Sequence, residues 1–262
     1  MRTGKEEHPN MKIARYSYKG HIRFGILEDG LLHELERTPF TEMKKTGSTY
    51  RLEDVELLTP VFPQKIIAVG LNYRDHAEEF GLSIPGEPVL FMKPPSSLLP
   101  HGGEIVYPSM SKRVDYEAEL VLVVGRECRE VRVEEAPSCI LGYTCGNDVT
   151  ARDLQARDGQ WTRAKSFDTF CPLGPFIETE VDPLGLTVEL RLNGELRQSS
   201  PASNMIFSPA ELLSFTSRVM TLYPGDVIMT GTPSGVGEMR PGDVVEVVIE
   251  GVGTLRNTVV AP

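Results

Sequence analysis

Asp115 to Gly125 reads DYEAELVLVVG. Two glutamates stand two residues apart, just before an unbroken run of valine and leucine. Such a short apolar run is the pattern of a buried strand. Side chains alternate along a strand, so Glu117 and Glu119 leave the same face, with Val121 and Val123 following on it. Two carboxylates facing what soon becomes core are costly to bury unpaired, and a hard divalent ion would compensate them. The opposite orientation is equally open on pattern alone: Ala118, Leu120 and Leu122 could form the inner face, leaving the glutamates at a solvated strand end.

Working outward, runs rich in valine, isoleucine and leucine recur at 119–124, 186–192, 227–230, 244–249 and 253–259. Few helices interrupt them; the clearest spans 210–219, with Ser208-Pro209 as N-cap and first-turn proline. Pro224-Gly225-Asp226 and Pro241-Gly242-Asp243 are turns that each lead into a strand, which implies antiparallel pairing. Many strands with few crossover helices predict a mainly β chain with a rolled or barrel-like architecture, not a doubly wound sheet. Upstream, 11–18, 22–28 and 31–35 read as strands punctuated by Gly20 and the Asp29-Gly30 hairpin signal. LLTPVFP at 57–63 then interrupts regular structure, and KIIAVGLN resumes it as a buried strand. A small N-terminal β-rich domain over 11–60 and a main domain over 61–262 are expected. Residues 1–10 are polar and unpatterned, read as an extension or an upstream start.

The 262 residues can bury a large core without a staple. A net charge of -10 with scattered lysines and arginines argues against a nucleic-acid partner. The four cysteines form no CxxC pair, the leading residues lack a signal-peptide core, and no apolar run approaches the roughly 20 residues of a membrane span. A soluble cytoplasmic protein with small-molecule partners is the expectation.

Four more segments bear chemistry. In YTCGNDVTARDLQAR (143–157), Asp148 falls at a strand-to-helix turn, Thr150 can cap the helix with Asp153 three residues on, and Arg152 and Gln155 share a helix face. RAKSFDTFCPLGP (163–175) places Lys165 before an apolar segment, although a lone lysine is by default a solvated one. In VGLNYRDHAEEFG (69–81), Asn72 can cap a short helix carrying His76 and Glu79 three apart, a spacing at which a carboxylate can make imidazole a better base or simply decorate an exposed face. MTGTPSGVGEM (229–239) lacks the Gly-Lys-Ser/Thr of a phosphate loop. It is either a plain hairpin loop or one whose amides and Thr232 hydroxyl reach a carboxylate.

GLNYRDHAEE, DYEAELVLVVG, GYTCGNDVTARDLQ, AKSFDTFCPLGP and VIMTGTPSGVG, in this order across 60–260, closely resemble the fumarylacetoacetate hydrolase family. The resemblance implies a mixed β-roll catalytic domain, a small N-terminal β domain, a homodimer, and a magnesium, manganese or calcium ion. It implies Glu117, Glu119 and Asp148 as metal ligands, and Lys165 as the group that steadies negative charge on the substrate. It also implies Arg152, Gln155 and Thr232 as substrate contacts, and His76 with Glu79 as a pair on a mobile lid.

On that basis the expected activity is hydrolytic C–C cleavage of acylpyruvate-like acids through a metal-stabilised enolate. Isomerisation or decarboxylation of 2-hydroxy-dienedioates from aromatic catabolism, or decarboxylation of oxaloacetate, would use the same intermediate. A different class is a non-catalytic module in which metal merely staples a β dimer, or the site binds an oxo acid without turning it over; a structural calcium site has no need of a base or a lysine. Loops such as 80–95 are expected to shape the pocket.

Overall fold

The computed structural model describes residues 11–262; the reading of residues 1–10 lies outside them. Strand Ala118–Val124 is buried along its whole length because it lies inside a sheet with a core on each face. Leu120 and Leu122 enter the larger core, while Val121 and Val123 enter a second one with Ile66, Ala68, Val227 and Met229. Neither face of this strand is the solvated one that the pattern left open.

Its neighbours are Ile140–Asn147, antiparallel with Glu119 opposite Gly146, and Val227–Met229, antiparallel with Val121 opposite Met229. The same sheet continues through Ile66–Gly70 to Val89–Lys93 on one side. On the other it runs through Cys171–Glu178 to the N-terminal strands Lys12–Tyr18, His21–Glu28, Leu31–Leu35 and Lys45–Arg51. The expected boundary near residue 60 falls between strands, yet the ladder crosses it, since Ile13 pairs with Ile177. Glu28 pairs with Leu31 across Asp29-Gly30, as the hairpin signal indicates.

A five-stranded sheet, in the order Glu195–Pro201, Thr187–Leu192, Val244–Ile249, Gly253–Val260 and Glu104–Val106, covers the larger core. Val188, Leu190, Val245, Val247 and Leu255 meet Leu120 and Leu122 there. The period-two alternation of these strands supplies that inward face. Three short strands, Thr150–Ala151, Val114–Tyr116 and Gly237–Met239, form a separate patch beside the site.

The chain is thus mainly β, and several expectations about it change. Pairing is not uniformly antiparallel: Val227–Met229 runs parallel to Ile66–Gly70, Gly253–Val260 to Glu104–Val106, and Cys171–Glu178 to Leu98–Leu99. The 80–95 stretch is not all loop, because Val89–Lys93 pairs with Ile66–Gly70.

Four helices occur among the described residues: α1 (Arg74–Glu79), α2 (Arg152–Asp158), α3 (Thr162–Lys165) and α4 (Pro209–Val219). α4 has the expected cap, a full capping box between Ser208 and Glu211. α1 and α2 do not. Asn72 is buried and donates to the carbonyls of Phe207 and Thr230, while Thr150 donates to the Asp148 carbonyl. Asp153 instead accepts from Ser111 and from the Lys112 amide. Tertiary partners thus claim Asn72 and Asp153, and a carbonyl two residues upstream claims Thr150, in place of the helix ends. All four cysteines are buried and free. No helix among the described residues is long and apolar enough to cross a membrane.

Close strand approach sets one position. A Cβ on Gly142 would lie 2.3 Å from the Glu178 carbonyl oxygen, on the strand pair that also carries a register shift beside Tyr143. Gly142→Ala should cost about 1–3 kcal/mol through forced backbone movement, read from the urea midpoint. An unchanged midpoint would contradict that approach.

Candidate metal centre and active site

Val114–Tyr116 and Ala118–Val124 are one strand interrupted at Glu117. At the break the Glu117 amide donates to the Asn147 side chain at 2.9 Å, and the Ala118 amide donates to Gln198 at 2.9 Å. The Asp148 amide donates to the Glu117 carbonyl at 2.9 Å. These bonds replace the lost ladder and fasten Glu117 and Asp148 side by side.

The result is a cluster in which ligand oxygens of Glu117, Glu119 and Asp148 all lie within 4.8 Å of one another, all three residues buried. Lys165, at the end of α3, donates to Glu117 at 2.8 Å and to Asp148 at 2.6 Å. Arg152 reaches the other oxygen of Glu117 at 2.5 Å, Asp115 at 2.9 Å and Gln155 at 2.6 Å. Lys93, fully buried at the end of Val89–Lys93, donates to the second oxygen of Asp148 at 2.5 Å.

Sequence reasoning passed over Lys93 and Asp115. FMKPP (91–95) carries the same signature as the glutamate strand, a charge set beside apolar residues.

Glu119 differs from its neighbours. Its bonded donor among the described residues is the Gly231 amide at 2.7 Å, with no cation in hydrogen-bond contact. Burial first, then the nearby charges of Asp148 and Glu117, push its carboxyl well above the usual carboxylate range. For Glu117 burial pulls in the same direction, but Lys165 and Arg152 outweigh it and hold the carboxyl below that range. Burial likewise opposes the charge of Lys165, and Asp148 and Glu117 overcome it.

Three converging oxygen donors, one without a cation of its own, suit a hard divalent ion of the magnesium, manganese or calcium kind. Such an ion would relieve the Glu119 repulsion.

The cluster lines a cleft of about 270 Å³ together with His76, Arg152, Gln155, Lys165 and Thr232, so every candidate residue drawn from the five segments except Glu79 touches it. Glu79 lies 3.4 Å from His76 Nδ1, beyond a good hydrogen bond, and that nitrogen has no hydrogen-bond partner among the described residues. Glu79 accepts from the Gly235 amide at 3.2 Å. Two loop amides thought available for a bound carboxylate, those of Gly231 and Gly235, are therefore engaged by the chain's own glutamates. Thr232 Oγ1 accepts from Gln198 at 2.9 Å.

A mostly β fold carries a buried carboxylate cluster with a lysine and an imidazole in the same cleft, an arrangement of the kind found in enzyme active sites. The chain belongs to the fumarylacetoacetate hydrolase family: the model "Fumarylacetoacetate (FAA) hydrolase C-terminal" matches residues 65–260, and "Rv2993c-like, N-terminal" matches residues 11–60.

It is 40% identical to 2,4-didehydro-3-deoxy-L-rhamnonate hydrolase of a Sphingomonas species over 95% of this chain and 96% of that protein. The structure of 5-carboxymethyl-2-hydroxymuconate delta-isomerase from Mycobacterium smegmatis superposes with a TM-score of 0.91 at 43% identity, covering 96% of this chain and 100% of that one. Fumarylpyruvate hydrolase from Pseudomonas aeruginosa, solved in complex with Mn2+ and pyruvate, gives a TM-score of 0.73 at 37% identity, covering 78% and 91%. The family so represented holds both hydrolases and isomerases.

The contrast between Glu117 and Glu119 is testable by melts in excess chelator. A carboxyl whose pKa is raised on folding keeps its proton where the unfolded chain has lost it. Glu119 therefore withdraws stability as pH climbs from its ordinary 4.5 toward the raised value. At pH 7, Glu119→Gln should be at least as stable as the parent, yet magnesium should no longer raise its Tm. Glu117→Gln strips a buried partner from Lys165 and Arg152 and should lose about 3–5 kcal/mol. Equal losses in both variants would refute the distinction.

Proposed function

We propose that the chain hydrolyses a carbon–carbon bond in small acylpyruvate-type β-diketo acids, with magnesium or manganese bound by Glu117, Glu119 and Asp148. One observation carries this reading: three buried carboxylates, a buried lysine and an imidazole converge on one cleft. The relative solved with Mn2+ and pyruvate supports it, since pyruvate is what acylpyruvate cleavage leaves.

A divalent cation in such a site supplies Lewis-acid polarisation of the substrate's oxo oxygens. His76 takes a proton from water, which adds to the distal acyl carbonyl, and Glu79 steadies the imidazolium. The bond between that carbonyl and the methylene carbon then breaks. Its electron pair passes into the pyruvyl fragment as an enolate, which is protonated to pyruvate while the acyl group leaves as a carboxylate. Lys165, kept cationic by Glu117 and Asp148, stabilises the enolate charge. Arg152, braced by Asp115 and Gln155, presents its guanidinium beside the substrate carboxylate. The Thr232 hydroxyl, accepting from Gln198, has its own proton free to donate to that carboxylate.

Isomerisation or decarboxylation of related enol acids would draw on the same enolate, as the isomerase relative suggests. Those reactions differ in consuming no water. Protein, magnesium and acetylpyruvate should lose enol absorbance while acetate and pyruvate form in equal amounts; oxaloacetate run in parallel reports decarboxylation. Enol loss without acetate would overturn hydrolysis. His76→Ala should slow turnover on the order of 10²-fold or more with magnesium uptake intact. Full activity in that variant would remove His76 from the mechanism.

A further inference from the structure

The cleft has two chemically opposite walls, and the second one has no role in the steps above. Away from the charged cluster it is lined by Val69, Leu71, Phe80, Leu82, Phe91 and Trp161. Phe91 and Trp161 meet edge to face with ring centroids 5.2 Å apart, and Lys165 Nζ lies 5.3 Å from the Phe91 centroid. The aromatic wall therefore begins where the charged one ends. Trp161 lies against Gly70 so closely that a Cβ there would sit 2.6 Å from its ring. Only a residue without a side chain leaves room for the indole in this position.

No cation on this wall could receive a second acid group. Arg152 and Lys165 are the arginine and lysine that line the cleft among the described residues, and both stand at the charged cluster, paired with Asp115, Glu117 and Asp148, where the oxo-acid end would bind. The segment that brings Phe80 and Leu82 to the cleft, FGLSIPGEP (80–88), contains neither lysine nor arginine, and its one charge is Glu87. Phe80 and Leu82, on that segment, are about half exposed and face the cleft, so a bound apolar group would cover them. A distal carboxylate would meet apolar side chains, with three carboxylates in the same cleft, and would lose its hydration without replacement.

We infer that Trp161, Phe91 and Leu82 form a specificity subsite for an apolar, uncharged substituent at the end of the substrate remote from the oxo acid. Aliphatic or aromatic acylpyruvates are then the substrate class, and dicarboxylates such as the dienedioates are disfavoured. This rests on the hydrolase reading for the name of the substrate, but the subsite itself can be measured without turnover.

Two 2-oxo acids of nearly equal shape serve as probes: 5-methyl-2-oxohexanoate, which ends in an isopropyl group, and 2-oxoglutarate, which carries a carboxylate in its place. Calorimetric titration of the magnesium-loaded protein should give tighter binding of the apolar acid by on the order of 10-fold or more. Trp161→Ala should shrink that ratio, and Leu82→Arg, a change at an exposed position, should reverse it in favour of 2-oxoglutarate. Equal or tighter binding of 2-oxoglutarate by the parent protein overturns the subsite. So does a ratio unmoved by both substitutions. Failure to cleave any acylpyruvate would instead overturn the hydrolase reading and leave the binding ratio to judge the subsite separately.

Discussion

Asp148 holds a lysine on each of its carboxylate oxygens, Lys93 on one and Lys165 on the other, with all three side chains almost wholly withdrawn from water. Lysine loses its large hydration energy on burial, and two ammonium groups sharing one carboxylate is a poor exchange unless further anions are near. Glu117 supplies the next one, and Arg152 and Asp115 extend the chain of charge outward. Edge strand Val89–Lys93, the turn after Ile140–Asn147, α3 and α2 are thereby fixed to one point. A purely apolar plug of the same volume could hold those elements as firmly. That charges occupy the point instead is explained by the cleft they line, not by stability.

The interruption at Glu117 shows how the fold delivers that cluster. A strand buried on both faces offers no place for an acid, since its alternating positions all enter core. Breaking the ladder for one residue turns Glu117 aside, and the orphaned amides must then be satisfied. Asn147 and Gln198 do so from two different sheets, and Gln198 uses its other end to hold Thr232 and the Pro233 carbonyl. One buried amide side chain, that of Gln198, thus connects the carboxylate-bearing strand to the loop that carries Thr232.

This explains which parts of the molecule were legible in the sequence. Asp148, at a turn, and Lys165, by default a solvated lysine, were legible through the family resemblance alone; Glu117 and Glu119 also stand out because charge beside an apolar run is costly, and a cost visible in one dimension remains a cost in three. Lys93 carried the same mark. Asn72 and Thr150 do not cap the helices that follow them: the partners of Asn72, Phe207 and Thr230, appear only when distant strands meet, whereas Thr150 turns back to the carbonyl of Asp148, two residues upstream. The parallel pairing of Val227–Met229 with Ile66–Gly70 was equally hidden, because period-two patterning fixes the face of a strand and says nothing of its neighbour's direction. α4, whose cap is wholly local, was read correctly for the same reason.

The two walls of the cleft follow from one geometric fact. Phe91 and Lys93 lie two apart on the edge strand and so project to the same side, one an aromatic surface and the other the cation beneath Asp148. Gly70 on the adjacent strand, paired with Val89, leaves the gap that the chain's one tryptophan fills from between α2 and α3. Charge therefore gathers where the paired strands end against Asp148, and apolar surface gathers where Trp161 closes the gap. On the proposed reading, a substrate crossing that divide carries its charged oxygens at one end only. The division of labour between the walls is set by side-chain alternation along a single edge strand, before any loop over the mouth contributes.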